Sequence, residues 1–502
     1  MTRIKPRSGK ICGPRIYEMT QRTKKLQTTS VLVGFLLWAS LAWTQAPESS
    51  HAPQEKPQAE QPVTIPHEIS PQEEKELFNS VDDLLHFASK DTGLPLKHEV
   101  KRRLTSRDEV TAFIEKSFEE DKDAQRLRRS ELVLKKFGLL PQDFDMQKFL
   151  VALLREQIAG YYDPKTKTVH LLNWIDPAQQ KPVMAHELTH ALQDQSFNLK
   201  KWMKTEELAN KKTTDAADIQ NDEKSTARQS VVEGQATAVL IDYMLAPTGQ
   251  SLQSSPQIVA ALKEGMLVGT ADSVQLHNAP NFIREALTFP YRYGLDFTVA
   301  LLGAGGKEKA FAGALKNPPT SSRQIMEPNT YLSDERIEPM PVPDFNSIFK
   351  NYERFDVGAM GEFDVAMLID QYAGAVASRG LYPHWRGGYY YAAKPKGDPS
   401  APLGIVYVSR WSNQEHAAEF AAIYAKSFLN RYKHVHGVAE DDRKPIDNMA
   451  NLETLTGKNT WLTEDGSVVV DVINDMVLVM ESLDQPTYQK LEQEIFSATR
   501  KN

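Results

Sequence analysis

The spacing of apolar residues changes twice between residues 145 and 194, and this change constrains the fold more than any other feature. Residues 145–159 have apolar side chains at three- and four-residue intervals, which predicts a helix. Its apolar face consists of Phe149, Leu150, Leu153, Leu154 and Ile158. Residues 160–172 then read as a strand, a turn opened by Asp163-Pro164 and a second strand. Helical spacing resumes at Pro182, a residue favoured in the first turn, which predicts that a helix begins there.

Helix patterns predominate in the first part of the chain, and strand patterns become more frequent in the second part. From residue 73 to residue 338 the patterns are mainly helical, with a small sheet around residues 160–172. Past about residue 340 a helix is predicted over 413–431, and strand patterns become frequent. They are clearest in residues 387–392, 403–408, 467–472 and 475–481. We therefore predict an α+β fold: a mainly helical domain (73–338), then a smaller α/β domain with a mostly antiparallel sheet (339–502).

Residues 200–228 separate two predicted helices of the first domain. They are charged and polar with little periodicity, which predicts an excursion across the surface. The apolar residues that follow them predict a second helix over about residues 229–245.

The N-terminal residues predict export rather than a folded unit. The apolar run of residues 31–43 follows Lys24 and Lys25 and is shorter than the ~20 residues that a membrane-spanning helix needs. We therefore predict a signal peptide over residues 1–42 and a flexible, Pro- and Gln-rich linker over residues 43–72. The processed protein is then expected in the periplasm or secreted, with no stable membrane span. An uncleaved N-terminal anchor is the alternative.

Cysteine content and charge narrow the possible cofactors and partners. Cys12 is the single cysteine, so no disulfide can form within the chain and any metal must be held by histidine and carboxylate side chains. The formal net charge is -7, and because residues 1–42 are basic, the rest of the chain is more acidic still. An acidic surface argues against nucleic acid as a partner.

The segment that follows Pro182 carries the clearest chemical signal. His186-Glu187-Leu188-Thr189-His190 is an HExxH motif. Because positions i and i+4 lie on one face of a helix, His186 and His190 can each give one nitrogen to a single Zn²⁺. Glu187 then lies where its carboxylate can act as general base toward water activated by the metal. An apolar stripe on the opposite face is expected to pack into the core: Ala185, Leu188, Ala191 and Leu192. A chance match on a surface helix is the alternative.

A third ligand is needed, because a hydrolytic zinc site has three protein ligands and one open position. We predict Glu233, an acid among apolar and small residues on the helix over 229–245, where a buried carboxylate needs a partner. Gly234 and Ala236 are expected to let this helix approach the HExxH helix closely. Pairing of Glu233 with a base is the alternative. Asp194 is the rival ligand, but its position one turn beyond His190 better suits orienting an imidazole N–H.

Two tyrosines are candidates for a further role beside the metal. A hydroxyl donor there would stabilise the oxyanion that forms when water adds to a carbonyl. Tyr291 and Tyr293 lie in an aromatic segment that contains a glycine. The alternative, that both are ordinary core aromatics, is the more common situation.

The run His186-Glu187-Leu188-Thr189-His190-Ala191, with Asp194 shortly after it, resembles the active-site helix of the gluzincins, the thermolysin-like zinc metallopeptidases. The resemblance implies a zincin-like domain over residues 73–338, with His186, His190 and Glu233 as zinc ligands and Glu187 as general base. It also implies that an edge strand within residues 160–172 aligns an extended peptide. A wider resemblance, carried by segments such as Gly160-Tyr161-Tyr162-Asp163-Pro164, is to uncharacterised exported bacterial proteins with a zinc-peptidase domain.

These observations favour a secreted or periplasmic zinc metalloendopeptidase, a hydrolase that acts on a peptide or protein substrate. The alternative is a non-catalytic cell-envelope protein in which zinc stabilises a scaffold and the C-terminal unit binds a partner. The presence of Glu187 favours the enzyme, because a purely structural zinc site needs ligands but no base.

Overall fold

The computed structural model describes residues 68–112, 121–204, 214–259, 261, 273–439 and 444–499. The predicted signal peptide (1–42) and most of the predicted linker (43–72) lie outside these ranges. The described residues form an α+β fold with one small and one large sheet, which confirms the predicted fold class. None of the helices in these ranges combines the length and the apolar character that crossing a bilayer requires.

The first part of the chain is mainly helical. Its longer helices are α1 (Pro71–Thr92), α2 (Asp121–Lys136), α3 (Met146–Gln157), α4 (Pro177–Phe197), α5 (Asp215–Leu245) and α6 (Asn281–Glu308). Helix α6 is interrupted at Gly305 and Gly306, whose backbone angles are not helical, and a π-helical turn (Lys309–Gly313) follows it. Shorter helical segments are Leu199–Trp202, Ala246–Thr248, Val274–His277, Ala314–Lys316, Ser322–Met326, Pro328–Leu332 and Phe345–Ile348.

The small sheet lies beside α4 and has three strands. They are β1 (Lys101–Thr105), β2 (Tyr161–Asp163) and β3 (Thr168–Leu172), in the order β1-β3-β2. Strand β3 is antiparallel to β2 and parallel to β1. The predicted strand–turn–strand of residues 160–172 is thus confirmed, and it places β2 at an edge of the sheet.

The second part of the chain forms a seven-stranded antiparallel sheet with order β4-β5-β6-β10-β9-β8-β7. Its strands are β4 (Tyr352–Ala359), β5 (Trp385–Pro395), β6 (Gly404–Trp411), β7 (Val435–Val438), β8 (Gly457–Thr463), β9 (Gly466–Ile473) and β10 (Met476–Glu481). Its helices are α7 (Glu362–Leu381), α8 (Gln414–Arg431) and α9 (Gln485–Thr499), together with a 3-10 turn (Tyr382–His384). All four predicted strands and the predicted helix at 413–431 are present, and β4, β7 and β8 are additional.

Both faces of the large sheet are buried, which explains why its central strands are continuously apolar. Val477 and Val479 of β10 belong to the larger hydrophobic cluster, which includes α8 and extends to α1. Met476, Leu478 and Met480 of the same strand belong to a second cluster, with residues of α9 and Phe345. Successive side chains of a strand point to opposite faces, so a strand covered on both sides loses its polar alternation.

Helix α5 is longer than the sequence pattern predicts. The surface excursion predicted for residues 200–228 is wrong for residues 215–228, which form the first half of α5, capped by the Thr214 side chain. This half is polar because it packs on β4, where Arg354 forms ion pairs of 2.7 Å with both Asp215 and Asp218. Because these polar residues are held by contacts with distant parts of the chain, the segment is helical although its sequence shows no helical spacing of apolar residues.

Candidate metal centre

Helix α4 carries the HExxH motif. The prediction that this helix begins at Pro182 is wrong: it begins at Pro177, and the Asp176 side chain accepts a hydrogen bond of 2.8 Å from the Ala178 N–H. Asp176 and Pro177 already provide the cap and the first-turn proline, and Pro182 lies inside the helix.

The apolar side of α4 is buried as predicted. Ala185, Leu188, Ala191 and Leu192 are all inaccessible to solvent. Helix α4 packs against α1 and α5, and the histidines face α5. Tertiary packing therefore fixes the orientation of the motif.

His186, His190 and Glu233 meet at one point between α4 and α5. The Nε2 atoms of the two histidines are 3.1 Å apart. Glu233 Oε2 lies 3.3 Å from His186 Nε2 and 3.5 Å from His190 Nε2. The structure thus brings Glu233 to the imidazole pair although 42 residues separate it from His190 in the sequence.

The three atoms suit a tetrahedral cation. With Zn–N and Zn–O distances near 2.0–2.2 Å, ligand atoms around tetrahedral zinc lie about 3.3–3.5 Å apart. The three separations observed here, 3.1, 3.3 and 3.5 Å, are close to that range. Glu233 Oε2 is buried and, apart from the two imidazoles, has no hydrogen-bond partner among the described residues, whereas its Oε1 accepts a hydrogen bond of 2.6 Å from Gln229 Nε2. A buried oxygen in this position fits a metal ligand, because an unsatisfied buried carboxylate oxygen is otherwise costly.

Glu187 is a second carboxylate close to the same point. An oxygen of Glu187 and a nitrogen of each histidine all lie within 4.8 Å of one another, so these three side chains could also hold a metal ion. Glu187 Oε2, however, accepts a hydrogen bond of 2.8 Å from the backbone N–H of Tyr162 in β2. This contact sets Glu187 apart from Glu233, whose Oε2 faces the imidazoles, and fits the predicted role of a base beside the ligands.

Burial and charge act in opposite directions on the pKa values at the centre. Burial alone would lower the pKa of His190, but the charge and hydrogen bond of Glu233 raise it to about 9. Burial alone would raise the pKa of Glu233, but the charge of His190 and hydrogen bonds from both histidines lower it to about 2. Burial lowers the pKa of His186. His190 and Glu233 therefore form a buried ion pair at neutral pH, and a bound cation would take the place of the His190 proton.

Burial also affects the pKa of Glu187, the predicted base. It raises the pKa of Glu187 to about 7, although the charge of His190 and the hydrogen bond from Tyr162 oppose the rise. A divalent cation at the imidazoles would lower this pKa again, because it favours the charged carboxylate.

Asp194 occupies a different place from the one expected. Its carboxylate accepts hydrogen bonds from the Tyr162 hydroxyl (3.1 Å) and the Leu199 N–H (2.9 Å), and it forms an ion pair with Lys167. The residue that faces an imidazole is its neighbour Gln193, whose Oε1 lies 2.9 Å from His190 Nδ1. The prediction that Asp194 orients an imidazole is therefore wrong for His190, and Asp194 instead holds the β2–β3 hairpin to α4.

The two candidate tyrosines lie at different distances from the centre. The Tyr291 ring stacks beside His186, with centroids 6.2 Å apart and planes at 22°, and its side chain is fully buried. Tyr293 packs on Phe289 instead, and the charges that act on its hydroxyl include those of Glu285 on α6 and Glu362 on α7. Tyr291 is thus the candidate whose ring lies beside His186.

At Gly234, helix α5 approaches α6 rather than α4. A Cβ atom on Gly234 would lie 2.1 Å from the backbone of Gly294, and one on Gly294 would lie 2.1 Å from Ser230 O. The expectation that Gly234 allows contact with the HExxH helix is therefore wrong, whereas the backbone of Ala236 lies beside His186. The close crossing of α5 and α6 positions the segments that carry Glu233 and Tyr291.

Several contributing residues are missed by sequence reasoning. Tyr162 acts through its backbone N–H, which leaves no signal in a sequence. Gln193 and Gln229 bind His190 and Glu233, and only their spacing of three or four residues from these side chains could have indicated contact.

Comparisons of the chain with models of protein families, with curated proteins and with solved structures found no match.

Proposed function

We propose that this protein is a zinc-dependent peptidase in which His186, His190 and Glu233 hold the ion and Glu187 is the general base. The observation that carries the proposal is the convergence of two imidazole nitrogens and one otherwise unpartnered carboxylate oxygen, 3.1–3.5 Å apart. Zinc in such a site supplies a Lewis acid and lowers the pKa of water.

Glu187 has the position and the environment that a base needs. It follows His186 directly in the helix, and its Oε2 is held by the Tyr162 N–H at 2.8 Å. The buried surroundings keep its pKa above the ordinary value, toward neutral pH, where a general base is most effective. The carboxylate would accept a proton from water during attack on a carbonyl and return it to the leaving amine.

Peptide is the proposed substrate class because an edge strand lies beside the base. Among the residues that the structure describes, strand β2 has a hydrogen-bonded neighbour on one side only, β3, and its residue Tyr162 contacts Glu187. An extended peptide that pairs with such an edge would bring its carbonyl groups past the carboxylate.

The deep burial of the centre is the observation that favours the alternative, a zinc-stabilised scaffold. The exposed fractions of His186, Glu187 and Glu233 are 0%, 5% and 3%, and structural zinc sites are closed whereas catalytic ones keep a position open. Glu187 distinguishes the two functions, because it is needed for hydrolysis but not for holding the ion.

The test compares two isosteric variants of the full chain. Glu187→Gln is expected to bind about one zinc per chain and to lose peptide hydrolysis by at least ~100-fold. Glu233→Gln is expected to lose zinc affinity as well. Glu285→Gln, which removes a carboxylate paired with Arg292 at 2.7 Å on α6, is the matched control. Peptide cleavage at the full rate by Glu187→Gln would contradict the proposal, and stable zinc binding without any hydrolysis by the unaltered chain would favour the scaffold.

A further inference from the structure

Two glutamines next to the candidate centre are completely buried. Gln193 of α4 and Gln235 of α5 both have exposed fractions of 0%. A primary amide buried in this way is costly unless its oxygen and its NH₂ group both have partners. The partners of these two amides connect His190 to the far end of α6.

The contacts form a chain of three steps. Gln193 Oε1 lies 2.9 Å from His190 Nδ1, and Gln193 Nε2 lies 2.9 Å from Gln235 Oε1 and 3.2 Å from Val232 O. Gln235 Nε2 lies 2.7 Å from Ala310 O and 3.1 Å from Phe311 O. Both of these carbonyls belong to the π-helical turn Lys309–Gly313.

The last step fixes the direction of every hydrogen bond before it. A backbone carbonyl only accepts, so the Gln235 atom that faces Ala310 and Phe311 must be the NH₂ group, and its oxygen must face Gln193. Gln193 in turn must present its NH₂ group to Gln235 and its oxygen to His190. Rotating either amide by half a turn would set two acceptors against each other, so the assignment does not depend on distinguishing nitrogen from oxygen.

We infer that Gln193 and Gln235 are positioning residues that keep a proton on Nδ1 of His190. The imidazole N–H donates to Gln193 Oε1, so that the lone pair of the neutral ring lies on Nε2, the atom that faces His186 and Glu233. The π-helical turn is the fixed end of this chain. The inference rests on the proposed function only in assigning the Nε2 lone pair to a metal ion.

An amide serves this purpose differently from a carboxylate. A carboxylate at residue 193 would also accept from the imidazole, but it could not donate to Gln235 Oε1 or Val232 O. The glutamine thus orients the ring without adding a second negative charge beside Glu233, and it joins α4 to α5 through the same side chain.

The experiment uses three methionine substitutions at buried glutamines of the full chain. Gln193→Met and Gln235→Met break the chain of hydrogen bonds at its first and second amide. Gln180→Met is the matched control: Gln180 lies on the same helix, has an exposed fraction of 1%, and binds Leu172 and Ile175 of the small-sheet region instead. Zinc affinity is measured by competition with a chelator of known affinity, and the His190 Nδ1–H proton is followed by NMR in protein labelled with ¹⁵N-histidine.

Gln193→Met is expected to weaken zinc binding about 10- to 100-fold, as loss of a group that orients a metal-binding histidine typically does. Gln235→Met is expected to weaken it less, and Gln180→Met not at all. The Nδ1–H resonance should be protected from exchange in the unaltered protein and in Gln180→Met, with or without zinc, and lost in Gln193→Met. Gln193→Glu retains an acceptor for the imidazole and should therefore retain the resonance.

Equal zinc affinities in all three methionine variants, or an Nδ1–H proton that exchanges equally fast in all of them, would overturn the inference. Failure of the unaltered chain to bind zinc would instead overturn the proposed function. The Nδ1–H measurement on metal-free protein would then still decide whether the two glutamines fix the imidazole.

Discussion

The backbone N–H of Tyr162 donates a hydrogen bond of 2.8 Å to Glu187 Oε2, while the hydroxyl of the same tyrosine donates one of 3.1 Å to Asp194. One residue of an edge strand thus contacts α4 at two positions seven residues apart, on the same side of the helix. Tyr162 therefore joins the small sheet to the HExxH helix at two points, beside the contacts that Lys167 and Leu172 make with the same helix.

Tyr162→Phe removes the hydroxyl contact and retains the backbone contact. Loss of a buried hydrogen bond to a charged acceptor is expected to lower the free energy of unfolding by about 1–2 kcal/mol, with zinc affinity unchanged. Chemical denaturation measures the first quantity. A double variant with Asp194→Asn should lose less than the sum of the single losses, and strict additivity would show that the hydroxyl and the carboxylate do not interact.

Gly294→Ala is expected to separate α5 from α6. The added Cβ would lie 2.1 Å from Ser230 O, so the helices must move apart, at a cost of about 1–3 kcal/mol in unfolding free energy. Because Glu233 lies next to the crossing, zinc affinity should fall as well.

Gly303→Ala is the control on the same helix, since nothing lies within 4 Å of its added Cβ. That variant should be as stable as the unaltered chain or more stable, by up to about 1 kcal/mol. Equal stability of both glycine variants would contradict the proposed role of the helix crossing.

Zinc affinity is expected to rise with pH up to about pH 9. The charge and hydrogen bond of Glu233 overcome the effect of burial and raise the pKa of His190 to about 9, so a proton must leave this imidazole before it can bind a cation. Below that pH the apparent affinity should change about tenfold per pH unit. Calorimetric titration in buffers of different ionisation enthalpy measures the released proton directly. In Glu233→Gln the affinity should be lower and its pH dependence weaker, whereas an unchanged slope would argue against the ion pair.

The buried carboxyl pair of Asp91 and Asp242 should make stability fall as pH rises from about 4 toward neutrality. Burial, followed by the charge of Asp91, raises the pKa of Asp242 above its ordinary value. The two carboxyl groups lie beside each other. Lys307 Nζ lies 2.8 Å from Asp91 Oδ1, and Asp242 Oδ1 accepts a hydrogen bond of 2.6 Å from the Leu252 N–H. The folded chain therefore retains a proton that the unfolded chain loses, and this stabilising contribution is complete below the unfolded pKa and lost as pH rises through the folded pKa.

Asp242→Asn tests this linkage without removing the contacts. Its amide oxygen can still accept from Leu252, and its NH₂ group can donate to Asp91. The pH dependence of unfolding between pH 4 and 7 should become flatter by up to about 1.4 kcal/mol per pH unit. Identical profiles for the two proteins would show that the pair does not share a proton.

The geometry of the centre was partly predictable from the sequence because each of its three candidate ligands obeys a local rule. His186 and His190 share a helix face by their spacing, and Glu233 is an acid among apolar residues. Gln235 and the backbone of Tyr162 were not predictable, because uncharged donors and acceptors obtain their roles from residues that are distant in sequence. For Gln193, only its spacing of three residues from His190 gave a signal.

The same reason explains where the fold predicted from the sequence differs from the structure. Strand β1, with the sequence Lys-Arg-Arg-Leu-Thr, lacks apolar alternation and is a strand because it pairs with β3. Residues 215–228 lack helical periodicity of apolar residues and are helical because their acids bind Arg354 and pack on β4. In both places long-range pairing outweighs the local pattern.

Helix α5 has 31 residues and is about 46 Å long, and it extends from β4 to the candidate metal centre. A fragment that ends at residue 338 would keep Asp215 and Asp218 but lose Arg354, and it would uncover apolar residues of the larger hydrophobic cluster, which continues from the first part of the chain into the large sheet. The predicted boundary at residue 338 is therefore a poor place to truncate. If such a fragment were inactive, the cause would be misfolding and not the absence of a function that belongs to the second half. The role of each half is therefore better tested by point substitutions in the intact chain.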